Sequence, residues 1–168
     1  SNTKAIDQLI GTLSKFFSVK DLGQLSFFLG VETLRMGANL FLTQRKYIGE
    51  LLRKVNMDNV KPCATPMATT CHLSKFEGVD FNDPQLYRST VGALHYLGFT
   101  HPDIAYSVHR VSKFMHQPKE PHWQAVKRIL RYLKHTISFG LHFSRQINKA
   151  LHSFSDADWA GDSDDRRS

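Results

Sequence analysis

The sequence predicts an α+β fold, with a helix and a β-hairpin first and a run of packed helices after them. Three observations lead there. Ile6, Leu9, Ile10, Leu13, Phe16 and Phe17 recur at the spacing of one helix face. Residues 26–34 and 40–43 are apolar and β-prone, and Gly37-Ala38-Asn39 between them marks a short turn, the pattern of a hairpin. From residue 84 on, three apolar stripes of helical period follow one another, each opened by a proline.

Taken in order, Asn2 or Thr3 can cap the first helix and Gly23 breaks its pattern. After the hairpin, Tyr47, Ile48, Leu51, Leu52 and Val55 share one face of a second helix. Residues 58–84 hold three of the six prolines and little periodicity, so they read as a linker crossing the surface. Pro62 and Pro66 keep its start extended. A helix from about Pro84 to Gly98 carries Tyr87, Val91 and Leu94 on one stripe. The next begins at Pro102, with Ile104, Ala105, Val108, Val111 and Met115 inward. The third begins at Pro121, with Trp123, Val126, Ile129, Leu130 and Leu133 inward and Lys127, Arg128, Arg131 and Lys134 outward. Residues 139–143 and 150–154 read as strands, the second running into Ser155-Asp156-Ala157-Asp158-Trp159-Ala160-Gly161.

Hydrophobic residues make up 41% of the 168, enough for a core in one domain or two small ones and too many for a disordered chain. No apolar run approaches the roughly 18 residues of a membrane span, so no membrane partner is expected. With no secretory signal, the expected setting is intracellular, cytoplasmic or nuclear. Cys63 and Cys71 are too few for a disulfide framework and lack zinc-site spacing.

The net charge is +7, and residues 101–150, with nine basic and two acidic groups, carry an excess as large as that total. Residues 151–168 oppose it with five acidic groups against two basic. A basic stripe points to an anionic partner such as nucleic acid, or to a solvated helix face.

Few residues suggest chemistry. Asp156 and Asp158 follow an apolar strand, where a carboxylate can hold a divalent cation. They can equally belong to an acidic surface loop, since one short tail cannot easily surround two ions. The nine histidines show no ligand spacing and are expected at the surface or partly buried. No Gly-x-Ser-x-Gly elbow and no phosphate-binding glycine loop occurs. Gly92 lies inside a helical pattern, where glycine costs about 1 kcal/mol relative to alanine. Either tight helix packing or the close approach of another backbone or a nucleic-acid groove would account for it.

These residues also resemble a family. Residues 21–32 (DLGQLSFFLGVE), 42–47 (LTQRKY), 61–67 (KPCATPM), 87–97 (YRSTVGALHYL), 101–106 (HPDIAY), His122-Trp123, 127–134 (KRILRYLK) and 155–161 (SDADWAG) are similar, in order and spacing, to blocks of copia-type retrotransposon Pol polyproteins. The match runs from the end of the reverse transcriptase into the start of RNase H.

The resemblance implies a partial palm with its hairpin over residues 1–57, a linker over 58–83, a helical thumb over 84–118, a connection helix and strand over 119–147, and the first strands of an RNase H-like domain over 148–168. Phe28, Leu29 and Gly30 would lie where the family places its primer grip. Arg88, Gly92 and Tyr96, one helical turn apart, would face the minor groove of an RNA–DNA hybrid, with Gly92 leaving room for it. Lys127, Arg131 and Lys134 would lie near phosphates. Asp156 would be the first catalytic, metal-binding carboxylate of RNase H, and Mg2+ is implied for the parent enzyme only.

The family's Asp-Asp polymerase motif would precede Ser1, and the remaining RNase H carboxylates would follow Ser168. The expectation is therefore a non-catalytic piece that grips hybrid or other nucleic acid and works with the remainder of the polyprotein. The alternatives are a repurposed or decayed nucleic-acid-binding helical protein and a protein–protein scaffold. Without the palm's central strands, Phe16, Phe17, Phe27 and Phe28 are expected to stay partly wet.

Overall fold

The computed structural model describes residues 3–20, 22–144 and 153. The expected strand at 150–154 and the acidic segment with Asp156 and Asp158 lie outside the described residues. Helix α1 (Thr3–Leu13) is followed by β1 (Phe27–Phe28), β2 (Val31–Met36) and β3 (Asn39–Thr43). Then come α2 (Arg45–Lys54), α3 (Pro84–Leu97), a 3-10 turn (Pro102–Ile104), α4 (Ala105–Ser112), α5 (Glu120–His135) and β4 (Leu141–Phe143). None of the described helices is long and apolar enough to cross a membrane.

Two turns fold the first three strands. Gly37, at φ 62°, makes the expected one between β2 and β3. The second, at Leu29-Gly30, interrupts what reads in the sequence as one continuous strand, and both residues have positive φ, 47° and 78°. A two-residue hairpin of this hand needs positive φ at both central positions.

The sheet is antiparallel in the order β1-β2-β3-β4. Its fourth strand returns after α5, pairing Leu141 with Leu42 and Phe143 with Leu40. Thr43 Oγ1 donates to Phe139 O at 3.2 Å at the same junction. The return is tight: a Cβ on Gly140 would lie 2.1 Å from Leu42 O, so only glycine fits.

The helices bury one core. Ile48, Leu51 and Leu52 of α2 join Tyr87, Val91, Leu94 and Leu97 of α3, Val108 and Val111 of α4, and Trp123, Val126, Ile129, Leu130 and Leu133 of α5. Each such side chain contributes roughly 1.5–3 kcal/mol on burial. The α2 face expected to end the first region thus packs with the helices expected to form the next. The helix expected from Pro102 through Met115 opens instead as a 3-10 turn and ends at Ser112. Caps set the helix starts. The Asp83 side chain accepts from Leu86 N at 2.8 Å ahead of α3, and Glu32 of β2 reaches Lys46 N at 3.0 Å in the first turn of α2.

Two histidines depart from the expected surface or partly buried placement. His101 and His122 are fully buried because each joins separate segments. His122 Nδ1 accepts from Lys119 N at 3.0 Å, its Nε2 faces Ser74 O at 3.0 Å, and its ring stacks on Phe114 at 3.7 Å. His101 Nδ1 lies 3.0 Å from Thr100 Oγ1, which donates to Gln44 Oε1 at 2.8 Å. Its Nε2 lies 3.3 Å from Thr136 O. This chain of polar groups joins the start of α2, the segment between α3 and α4, and the end of α5. Buried polar groups persist where they find such partners.

Helix α1 has no such core. Ile6, Leu9 and Leu13 are exposed, as are Phe16, Phe17, Phe27 and Phe28, in agreement with the expectation for the four phenylalanines.

Replacing Gly140 by alanine is expected to detach β4 and lower stability by about 1–3 kcal/mol, as overpacking does. Denaturant unfolding measures the loss. Faster amide exchange at Leu40 and Leu42, with α3 and α5 unchanged, would locate it at the strand.

Candidate nucleic-acid interface

Helix α3 has two unlike sides. Tyr87, Thr90, Val91, Leu94 and Leu97 point into the core. Gln85, Arg88, Ser89, Gly92 and His95 lie on the open side, and exposed Phe99 follows the helix end. At its centre, a Cβ built on Gly92 would meet nothing within 4 Å. Packing among the described residues therefore does not explain the glycine. Arg88 is exposed, its Nη1 at 3.5 Å from Met115 O, the outer limit of a hydrogen bond.

Tyr96, one turn beyond Gly92, is half-buried and already occupied. Its hydroxyl donates to Leu29 O. Its ring meets Tyr47 edge-on at 5.3 Å and Phe99 at 5.7 Å. Gly30 lies under both Tyr47 and Tyr96, its built Cβ position 3.6 Å from each ring. The Phe28-Leu29-Gly30 turn is thereby seated on α3, with the Phe28 and Leu29 side chains exposed. A left-handed conformation costs a residue such as leucine roughly 1–2 kcal/mol, and a hydrogen bond contributes about 0.5–1.5 kcal/mol. The Tyr96 bond acts against the strain at Leu29 and is of the same order. Burial raises the Tyr47 hydroxyl above its usual pKa, and the neighbouring Tyr96 adds to the shift.

The basic side of α5 is covered. Arg131 Nε donates to Lys61 O at 2.7 Å, Lys134 Nζ donates to Asp58 O and Val60 O at 2.6 and 2.8 Å, and an Arg128 Nη reaches Thr65 Oγ1 at 2.7 Å. Cys63 N returns a bond to Arg131 O at 3.2 Å. Residues 58–65 thus lie as a strap across the face that the sequence presents as solvent-facing. Lys127, half-buried, has no such contact among the described residues. On the side toward α4, Tyr132 donates to Asp103, and burial followed by that carboxylate pushes its hydroxyl up to about 12.

The structure brings Phe28, Leu29, Gly30, Arg88, Gly92 and Tyr96 to one side, next to Tyr47 and Phe99, which the sequence reading does not single out. The signal for Tyr47 lay in Gly30, since a glycine inside a strand pattern marks a bend or a close neighbour. Among the described residues no group of three His, Cys, Asp or Glu side chains could hold a metal ion.

The chain is similar in sequence to known proteins. A family model described as reverse transcriptase (RNA-dependent DNA polymerase) matches residues 1–69. The retrovirus-related Pol polyprotein from transposon RE1 of Arabidopsis thaliana is 51% identical over 156 residues, 93% of this chain and 11% of the relative. That from transposon RE2 of the same plant is 46% identical over 98% of this chain and 11% of the relative. An uncharacterised mitochondrial protein of Arabidopsis thaliana is 39% identical over 100% of this chain and 70% of its own length. No solved structure matches. The chain spans about a tenth of the length of the first two relatives, and it belongs to the copia-type retrotransposon Pol polyprotein family.

Proposed function

We propose that this chain is the part of an RNA-directed DNA polymerase that grips the RNA–DNA primer–template. The carrying observation is Gly92: a helix interior that forgoes about 1 kcal/mol of stability to keep an open space beside an exposed arginine. In this reading α1, β1 to β3 and α2 end the palm, α3 and α4 are the thumb, and α5 with β4 is the connection. Arg88 meets phosphate or sugar, Gly92 admits the minor-groove edge, and the Phe28-Leu29-Gly30 turn aims the primer end. Recognition rests on duplex shape, because these residues offer few groups to read base edges.

No chemical step is assigned to these residues. The two-metal chemistry of polymerase and RNase H needs several convergent carboxylates, and none converge among the described residues. Asp156 and its Mg2+ belong to a complete RNase H domain.

The apolar residues exposed between Ile6 and Met36 favour a second partner, the remainder of the polyprotein. They fall inside the segment that the reverse transcriptase family matches.

Gly92→Ala separates function from stability. With nothing near its Cβ, the substitution should raise stability by up to about 1 kcal/mol while weakening binding of a fluorescent RNA–DNA hybrid several-fold. Affinity equal to or above that of the unaltered chain would sink the groove assignment. Binding should favour hybrid over single strands and weaken as salt rises.

Tyr96→Phe should lower stability by about 1 kcal/mol and speed amide exchange at Gly30 and Val31. Adding Leu29→Gly, which relieves the left-handed strain, should restore slow exchange there. Unchanged exchange in the single variant would show that the hydroxyl does not hold the turn.

A further inference from the structure

The largest positive excess in the sequence lies in residues 101–150, yet Arg128, Arg131 and Lys134 there hold the strap. Unengaged cations gather elsewhere. Arg45, Lys46, Arg53 and Lys54 stand exposed on the outer face of α2, above its buried Ile48, Leu51 and Leu52. Among the described residues, the side chains of Arg45, Arg53 and Lys54 make no hydrogen bond or ion pair, and Lys46 Nζ lies 5.8 Å over the Phe27 ring.

Acids on this face are few. Glu50 is exposed beside the cations, and the Glu32 carboxylate is committed to the first turn of α2 through Lys46 N. The helix end is therefore already capped, and any further anion must lie along the helix side.

That side is hollow. Gly49 sits midway between Arg45 and Arg53, in a helix interior where alanine would be more favourable by about 1 kcal/mol. A Cβ there would meet nothing within 4 Å. Arg45, Lys46, Gly49 and Arg53, with Glu32 and Ile137, bound an open hollow of about 450 Å3. Arg45 and Arg53 are i and i+8, about 80° apart around one broad face and about 12 Å apart along the axis. A nucleic-acid strand, with one phosphate per roughly 3.4 Å of axis, would meet them about three to four phosphates apart.

We propose that this face of α2 is a phosphate-backbone site. Arg45 and Arg53 grip the backbone of a nucleic-acid duplex lying over Gly49, and Lys46 adds a third contact beside β1. The choice of ligand rests on the function proposed above; the place does not. Helices α2 and α3 touch through the Tyr47 and Tyr96 rings, on another side of α2 from the hollow.

The test uses the full chain, a fluorescent RNA–DNA hybrid and a salt titration, with inorganic polyphosphate as a second probe. Each phosphate contact contributes roughly 0.9 to the slope of log affinity against log salt. Arg45→Gln with Arg53→Gln should therefore lower the slope by about 1.8 and lose polyphosphate binding, with thermal stability unchanged. Gly49→Ala should raise thermal stability and weaken hybrid binding. Arg131→Gln with Lys134→Gln should do the reverse, releasing the strap and lowering thermal stability with the slope unchanged.

An unchanged slope in the Arg45/Arg53 variant, or polyphosphate binding that survives it, overturns the site. A chain that ignores hybrid yet binds polyphosphate through Arg45 and Arg53 keeps the site and counts against the hybrid grip on α3.

Discussion

Helix α5 is engaged on both sides, and the rest of the fold depends on that. One side seals the core with Trp123, Val126, Ile129, Leu130 and Leu133. The other uses Arg128, Arg131 and Lys134 to hold main-chain and side-chain oxygens of residues 58–65. A linker with no regular structure has carbonyls to satisfy, and cationic donors satisfy them well because charge-assisted bonds are shorter and stronger than neutral ones. With the strap fixed, α2 and α3 are joined around α5, and the chain beyond α5 returns to the sheet as β4.

That arrangement explains what the sequence showed and what it hid. Apolar periodicity located α1, α2, α3 and α5 because a helix face declares itself within a dozen residues. The same pattern told which side of α5 faces the core, but not what covers the other side. A cation held by a carbonyl about 70 residues away has the same letter as a cation in water. The basic stripe was visible in the sequence, and its occupant was not. β4 was visible as a strand, while its pairing with β3 rests on a contact spanning about a hundred residues that no local signal encodes.

The turn at Leu29-Gly30 was hidden for a different reason. Leucine resists positive φ, so an apolar run through Leu29 reads as continuous strand. What makes the turn possible is tertiary: the Tyr96 hydroxyl on the Leu29 carbonyl, and the room that Gly30 leaves under two tyrosine rings. Local strain held by distant packing is a common mark of functional sites, and here the strained turn and the open side of α3 share one side chain.

Gly30, Gly78, Gly92 and Gly140 illustrate how differently one residue type is used. Gly140 is required by a carbonyl almost touching it, and Gly78, at φ 92° with Pro121 Cδ 2.6 Å from its built Cβ, by both backbone and neighbour. Gly30 is required by its backbone angle. Among the described residues nothing requires Gly92: its φ is ordinary and nothing lies within 4 Å of its built Cβ. In the proposed function, that open space admits the minor-groove edge of the primer–template. That is why the open side of α3, and not the densely charged α5, carries the functional argument.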